Sequence, residues 1–192
     1  NRNKCNELIH TGVISDKHLC FMMFDLNGLK KTNDNFGHDA GNQMIESFAA
    51  VLRRCIPAGN FIGRSGGDEF VGIIYNTDET RVKQIISNIQ EQIESFNQAE
   101  DRGWQLGTAV GYAFAEEAPD RSYTTLYELA DQRMYENKRA MKAAEQKQAQ
   151  AASVRSGSAV RQSAANRAAV PDTPAPTIKT KRQVEKTIKQ SA

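Results

Sequence analysis

Cysteine is scarce and scattered. Cys5, Cys20 and Cys55 form no CxxC and no Cys/His cluster, which excludes a disulfide framework and a thiolate metal site. Reduced thiols are expected, with Cys20 and Cys55 in core positions. Apolar runs of about 18 residues are also missing, and no charged stretch followed by an apolar core opens the chain, so neither a spanning helix nor a signal peptide is predicted. A cytoplasmic location is the expectation. Charge of one sign is lacking too: 25 Lys+Arg face 23 Asp+Glu. The near balance conceals a division, because residues 1–142 carry 16 basic against 20 acidic side chains and residues 143–192 carry 9 against 3. The body therefore has no basic surface of the kind that drives nucleic-acid binding, and no nucleic-acid partner is expected. With 39% hydrophobic and 25% charged residues, a wholly disordered chain is excluded as well.

What is present reads as alternating strands and helices. Leu19 to Phe24 is a short, continuously apolar run ending at Asp25, the pattern of a strand buried on both faces. From Ala40 to Cys55, Ile45, Phe48, Leu52 and Cys55 recur at helical spacing. Phe61–Arg64 and Phe70–Tyr75 flank Ser65-Gly66-Gly67-Asp68-Glu69, which predicts a hairpin. Val82, Ile85, Ile89, Ile93 and Phe96 stripe a second helix, Gln105–Phe114 is a further strand, and Leu126, Ala130 and Met134 line a last helix. The order predicts an α+β fold, helices packed on a mostly antiparallel sheet. Beyond Lys142, three of the five prolines and no aromatic residue occur. Such a segment buries too little apolar area to offset its ordering entropy. A helical extension over 140–152 and disorder from 150 to 192 are expected.

Two acidic segments carry the chemistry. If the strand ending at Asp25 neighbours the hairpin, then Asp25, Asp68 and Glu69 meet at one edge of the sheet. Carboxylates grouped so closely raise each other's pKa unless a cation neutralises them. Hard oxygen ligands favour Mg²⁺ or Mn²⁺ over zinc, and such ions complete their shell with water and substrate phosphates. Metal-assisted phosphoryl transfer from a nucleotide triphosphate follows, while an exposed turn chosen only for backbone conformation fits the same letters. The polar segment from Lys30 to Asn42 leads into the first helix. Lys30 can set a cation on phosphate oxygens, and Asn33 and Asn42 can donate to and accept from a nucleobase edge.

Phe24-Asp25-Leu26-Asn27-Gly28-Leu29-Lys30, Asn33-Asp34, Phe36-Gly37-His38-Asp39-Ala40-Gly41, Arg64-Ser65-Gly66-Gly67-Asp68-Glu69-Phe70 and Ala130-Asp131 through Lys138-Arg139 resemble, in sequence and order, the GGDEF diguanylate cyclase family. The likeness covers residues 1–142. It implies a palm-like sheet related to polymerases and class III nucleotide cyclases, and condensation of two GTP into cyclic di-GMP with release of pyrophosphate. Two Mg²⁺ (or Mn²⁺) per site would be held by Asp25, Asp68, Glu69 and the Leu26 carbonyl. Asp68 would also accept the proton of the attacking 3′-hydroxyl. Lys30 and Lys138 would stabilise the phosphates, and Asn33, His38 and Asn42 would contact the nucleotide. Since one domain holds one nucleotide, a two-fold homodimer is implied. A GTP-binding regulatory module without turnover is the alternative.

This chain departs from the family pattern in four places. Asn42 replaces an aspartate, which predicts less strict guanine selection, because an amide offers guanine one acceptor where a carboxylate offers two. Pro57-Ala58-Gly59-Asn60 stands where many members carry the Arg-x-x-Asp product-inhibition site, so feedback inhibition there is not expected. Only Asn1-Arg2 survive of the usual opening segment, so an upstream sensor or membrane domain is expected outside this chain. Ala140-Met141-Lys142 replaces Gly-Arg-Asn, which takes away the family's usual phosphate ligand there, leaving Lys142 in its vicinity, and leaves the final edge strand unsupported.

Overall fold

A computed structural model describes Glu7 and residues 18–168, with side chains up to residue 151. Cys5 lies outside the described residues. Four antiparallel strands form the sheet: β1 (Cys20–Leu26), β2 (Phe61–Arg64), β3 (Glu69–Ile74) and β4 (Thr108–Phe114), in the order β2-β3-β1-β4. The first strand thus lies between the hairpin and β4, as the acidic-edge expectation requires. Register runs from Cys20 opposite Ile74 to Asp25 opposite Glu69 on one side of β1, and from Cys20 opposite Phe114 to Leu26 opposite Thr108 on the other.

Strand periodicity divides the core into two layers. The even-numbered residues Cys20, Met22, Phe24 and Leu26 meet α2 (His38–Cys55) and α3 (Glu79–Ala99), through Met44, Phe48 and Leu52 on the one and Val82, Ile85 and Ile89 on the other. Phe48 stands edge-on to both Phe24 and Phe70, with ring centroids 6.3 and 5.1 Å apart. The odd-numbered Phe21 and Met23, with Val71 and Ile73 of β3, meet Tyr123, Leu126, Ala130 and Met134 of α4 (Tyr123–Ala168). Contact is closest at Gly111, where a Cβ would overlap the Ala130 carbonyl and the Met134 amide. Glycine there lets the helix backbone lie directly on the strand.

Two features differ from the sequence expectation. The segment Lys30 to Asn42, expected as polar surface leading into a helix, begins within a helix of its own, α1 (Leu29–Phe36). Gly28 (φ 81°) turns the chain out of β1, and Gly37 (φ 85°) breaks α1 from α2 in a conformation that disfavours any side chain. At the other end, α4 continues to Ala168, past residue 150 where disorder is expected to begin. Residues 151–168 include six Ala and three Arg, both good helix formers. The chain divides into two units, Asn1–Gln146 and Lys147–Ala192; the first contains the sheet. Among the described residues no helix is long and apolar enough to cross a membrane.

Candidate active site

The odd-numbered face of β1 reads Phe21, Met23, Asp25, and the stripe of α4 that covers it reads Leu126, Ala130, Met134, Lys138. Both series turn from apolar to charged at the same end of the sheet. There the Lys138 Nζ donates to both carboxylate oxygens of Asp25, each at 2.7 Å. Asp25 is buried, 7% exposed, so its charge requires such a partner.

Opposite Asp25, Glu69 begins β3 on the same face. Asp68 precedes it, and the Asp68 carbonyl accepts from the Leu26 N–H at 2.8 Å. The sheet thus brings Asp25, Leu26, Asp68 and Glu69 together. Burial pushes the Glu69 carboxyl above its ordinary value, and Asp68, Asp131 and Asp25 push it the same way, with Lys138 opposing them. Asp131, on α4 two turns before Lys138, is a fourth carboxylate acting on Glu69, and no role is predicted for it above. Its signal was spacing: seven residues place it on the same helix face as Lys138.

The acidic turn is tied down by Arg64. Its Nε donates to the Gly66 carbonyl at 3.0 Å and its Nη2 to the Gly67 carbonyl at 2.7 Å. Neither glycine has a positive φ. A Cβ on Gly66 would press to 2.6 Å from the Glu69 carboxylate, whereas one on Gly67 would meet nothing within 4 Å. Turn conformation therefore does not explain this pair of glycines, and Gly67 leaves its backbone open to an approaching group.

Beside the acids lies a cleft of about 620 Å³, lined by Asn27, Gly28, Lys30, Asp68, Lys138 and Lys142 among others. Three lysines around one opening suit a polyphosphate. Lys30 projects from the first turn of α1, Lys138 and Lys142 from successive turns of α4. The remaining predicted residues cluster elsewhere, at the corner between α1 and α2. Asn33 is half-buried, its side-chain oxygen lying where a Cβ on Gly41 would fall. His38 and Asn42 are exposed on the first turn of α2. None of these three lines the lysine cleft.

Among the described residues, no three His, Cys, Asp or Glu side chains approach closely enough to hold a metal by themselves. Zinc-type or calcium-type cages are thus not what the donors offer. Mg²⁺ differs, since it takes one or two carboxylates and fills its octahedron with water and phosphate oxygens. A buried carboxylate beside three others, opposed by one ammonium and open to a cationic cleft, fits that ion.

Residues 2–144 match the family model for the diguanylate cyclase GGDEF domain. The chain belongs to the GGDEF diguanylate cyclase family. It is 28% identical over 122 residues to the probable diguanylate cyclase DgcT of Escherichia coli (strain K12), covering 62% of this chain and 27% of that protein. Diguanylate cyclase A of Treponema denticola is 26% identical over 121 residues, covering 62% and 32%. The chain thus spans about a third or less of these relatives' length. The GGDEF domain of DgcB from Caulobacter crescentus, solved in complex with c-di-GMP, superposes with a TM-score of 0.57 at 25% identity, covering 72% of this chain and 80% of that one.

Proposed function

We propose that the chain condenses two GTP into cyclic di-GMP and two pyrophosphates, as a homodimer with two Mg²⁺ (or Mn²⁺) per site. The observation that carries this reading is the register of Asp25 with Glu69, next to Asp68 and Lys138, which line a lysine-bearing cleft. Asp25, Asp68, Glu69 and the Leu26 carbonyl would hold the metal. When bound, Mg²⁺ supplies a lowered pKa for the ribose 3′-hydroxyl and charge neutralisation for the triphosphate.

The chain's own groups do the rest. Lys30, Lys138 and Lys142 draw the triphosphate into the cleft and spread the charge that develops on the leaving pyrophosphate. Asn33, His38 and Asn42 hold the nucleoside at the α1–α2 corner, with Asn42 less strict toward guanine than a carboxylate. Asp68 accepts the 3′-hydroxyl proton. A bond forms between that oxygen and the α-phosphorus of the facing nucleotide, and the bond from the α-phosphorus to the bridging oxygen breaks. With one nucleotide held per domain, two copies must face each other across a two-fold axis for both ester bonds to form. In a longer protein, a sensory or membrane-bound region would set that pairing, with this domain in the cytoplasm.

Incubation with GTP and Mg²⁺ followed by chromatography tests the reading. Cyclic di-GMP is expected, and D68A is expected to abolish it while leaving the far-ultraviolet circular dichroism unchanged. Tight GTP binding with no product would favour a regulatory module. No thermal shift with Mg²⁺ and GTP would remove nucleotide chemistry altogether.

A further inference from the structure

Both oxygens of Asp25 are taken by one ammonium, at 2.7 Å each. The Asp25 side chain is 10% exposed. A divalent cation that takes an oxygen of this carboxylate meets the Lys138 ammonium at close range, and the two positive charges repel. Room for Lys138 to leave exists. Its side chain is 27% exposed, it lines the 620 Å³ cleft with Lys30 and Lys142, and its four-carbon stem is flexible. Arg133, on the same helix, has no such freedom: its guanidinium also donates to the Tyr112 carbonyl at 2.8 Å.

We infer that Lys138 is an exchangeable counter-ion of Asp25, holding it while no divalent cation is bound and moving into the cleft, toward the triphosphate, when the cation arrives. This rests on the reading of Asp25 as a metal ligand. Lys138 is thus a positioning residue for the metal as well as a phosphate contact, and it makes metal and nucleotide bind together. Without nucleotide, a displaced ammonium finds in the cleft only the carboxylates Asp68 and Glu145, alongside the competing cations Lys30 and Lys142. With nucleotide, the displaced ammonium gains phosphate oxygens.

Mn²⁺ binding, read from the paramagnetic resonance signal of the free ion, tests this on the full chain. Wild type, K138M and K138R are compared without nucleotide and with a non-hydrolysable methylene analogue of GTP. In wild type the analogue is expected to tighten Mn²⁺ binding about tenfold or more, within the usual range of site-to-site coupling. K138M is expected to bind Mn²⁺ alone about tenfold tighter than wild type and to lose most of the analogue's effect; K138R, which keeps a cation on Asp25, is expected to bind Mn²⁺ alone no tighter than wild type. Thermal denaturation gives a second reading: K138M leaves Asp25 unpaired, so Mn²⁺ should raise its melting temperature more than that of wild type. Equal or weaker Mn²⁺ affinity in K138M overturns the counter-ion role and leaves the metal site standing. Uptake by neither protein, with or without the analogue, overturns the metal site itself and the inference with it.

Discussion

At the free edge of β4, Arg133 pairs with Glu117, donating to Oε1 at 3.0 Å, and also donates to the Tyr112 carbonyl at 2.8 Å. Glu117 in turn accepts from the Phe114 N–H at 2.8 Å, and Asn137 accepts from the Val110 N–H at 3.0 Å. Five residues further along α4, Lys138 also meets a carboxylate, yet there Asp68, Asp131 and Asp25 all act on Glu69 against it. The two ends show the difference in their acids. Hydrogen bonds from Arg133 hold Glu117 below its ordinary value, whereas burial and neighbouring acids hold Glu69 above. A charge pair that serves the fold satisfies itself, and here it also blunts a strand edge that would otherwise invite pairing. A group left with excess negative charge awaits something positive from outside.

Substitutions at the two ends should therefore separate activity from stability. D68A is expected to lower the rate of product formation by roughly a thousandfold while the melting temperature stays within a few degrees. G111A should do the reverse in the starkest form. It forces a methyl into the backbone of α4, costs about 3 kcal/mol in denaturant unfolding, and leaves turnover per folded molecule unchanged. K30M is expected to lower kcat roughly 10- to 100-fold, as for loss of one electrostatic contact to the transition state. R133M should cost about 1 kcal/mol of stability, because the pair is partly solvated, with kcat unaltered; a loss of kcat in R133M would break the division between the two ends.

The smallest effect is on pH dependence. Without metal, folded Glu69 keeps its proton to higher pH than the unfolded chain does, so stability falls as pH rises from its ordinary value near 4.5 through the raised one. Glu117 acts with the opposite sign: its contribution is present above its ordinary value and is lost as pH falls through the lowered one. Melting temperatures in chelator from pH 4 to 7 should show E69Q losing the decline toward neutral pH and E117Q losing the decline toward acid.

Much of the fold was legible. A buried strand ending in an acid, a glycine hairpin carrying two more, and three apolar helical stripes suffice to order the elements and to bring Asp25 beside Asp68 and Glu69. Lys138 was legible as well, through the family resemblance rather than through the stripe Leu126, Ala130, Met134 that leads to it. The helix α1 was not, since six of its eight residues are polar (LKKTNDNF); it is set by the glycines at its ends and held by buried Thr32 and half-buried Leu29. Arg64 gave no signal because a surface arginine before a turn is ordinary, and its hold on the Gly66 and Gly67 carbonyls exists only once the hairpin closes. Asp131 belongs to a motif that carries the family resemblance, but nothing in its spacing alone ties it to Glu69 before the sheet is formed. The stretch 150–168 misled in the other direction, because low apolar content argues against a core but not against a helix.

The placement of the cation decides the matter most directly. Crystals of the chain grown with Mn²⁺ and the methylene analogue of GTP, measured at the manganese absorption edge, should show an anomalous peak touching carboxylate oxygens of both Asp25 and Asp68, with Lys138 turned toward the phosphates. A peak that touches neither acid, or nucleotide bound with Lys138 still on Asp25 and no peak at all, would contradict the account.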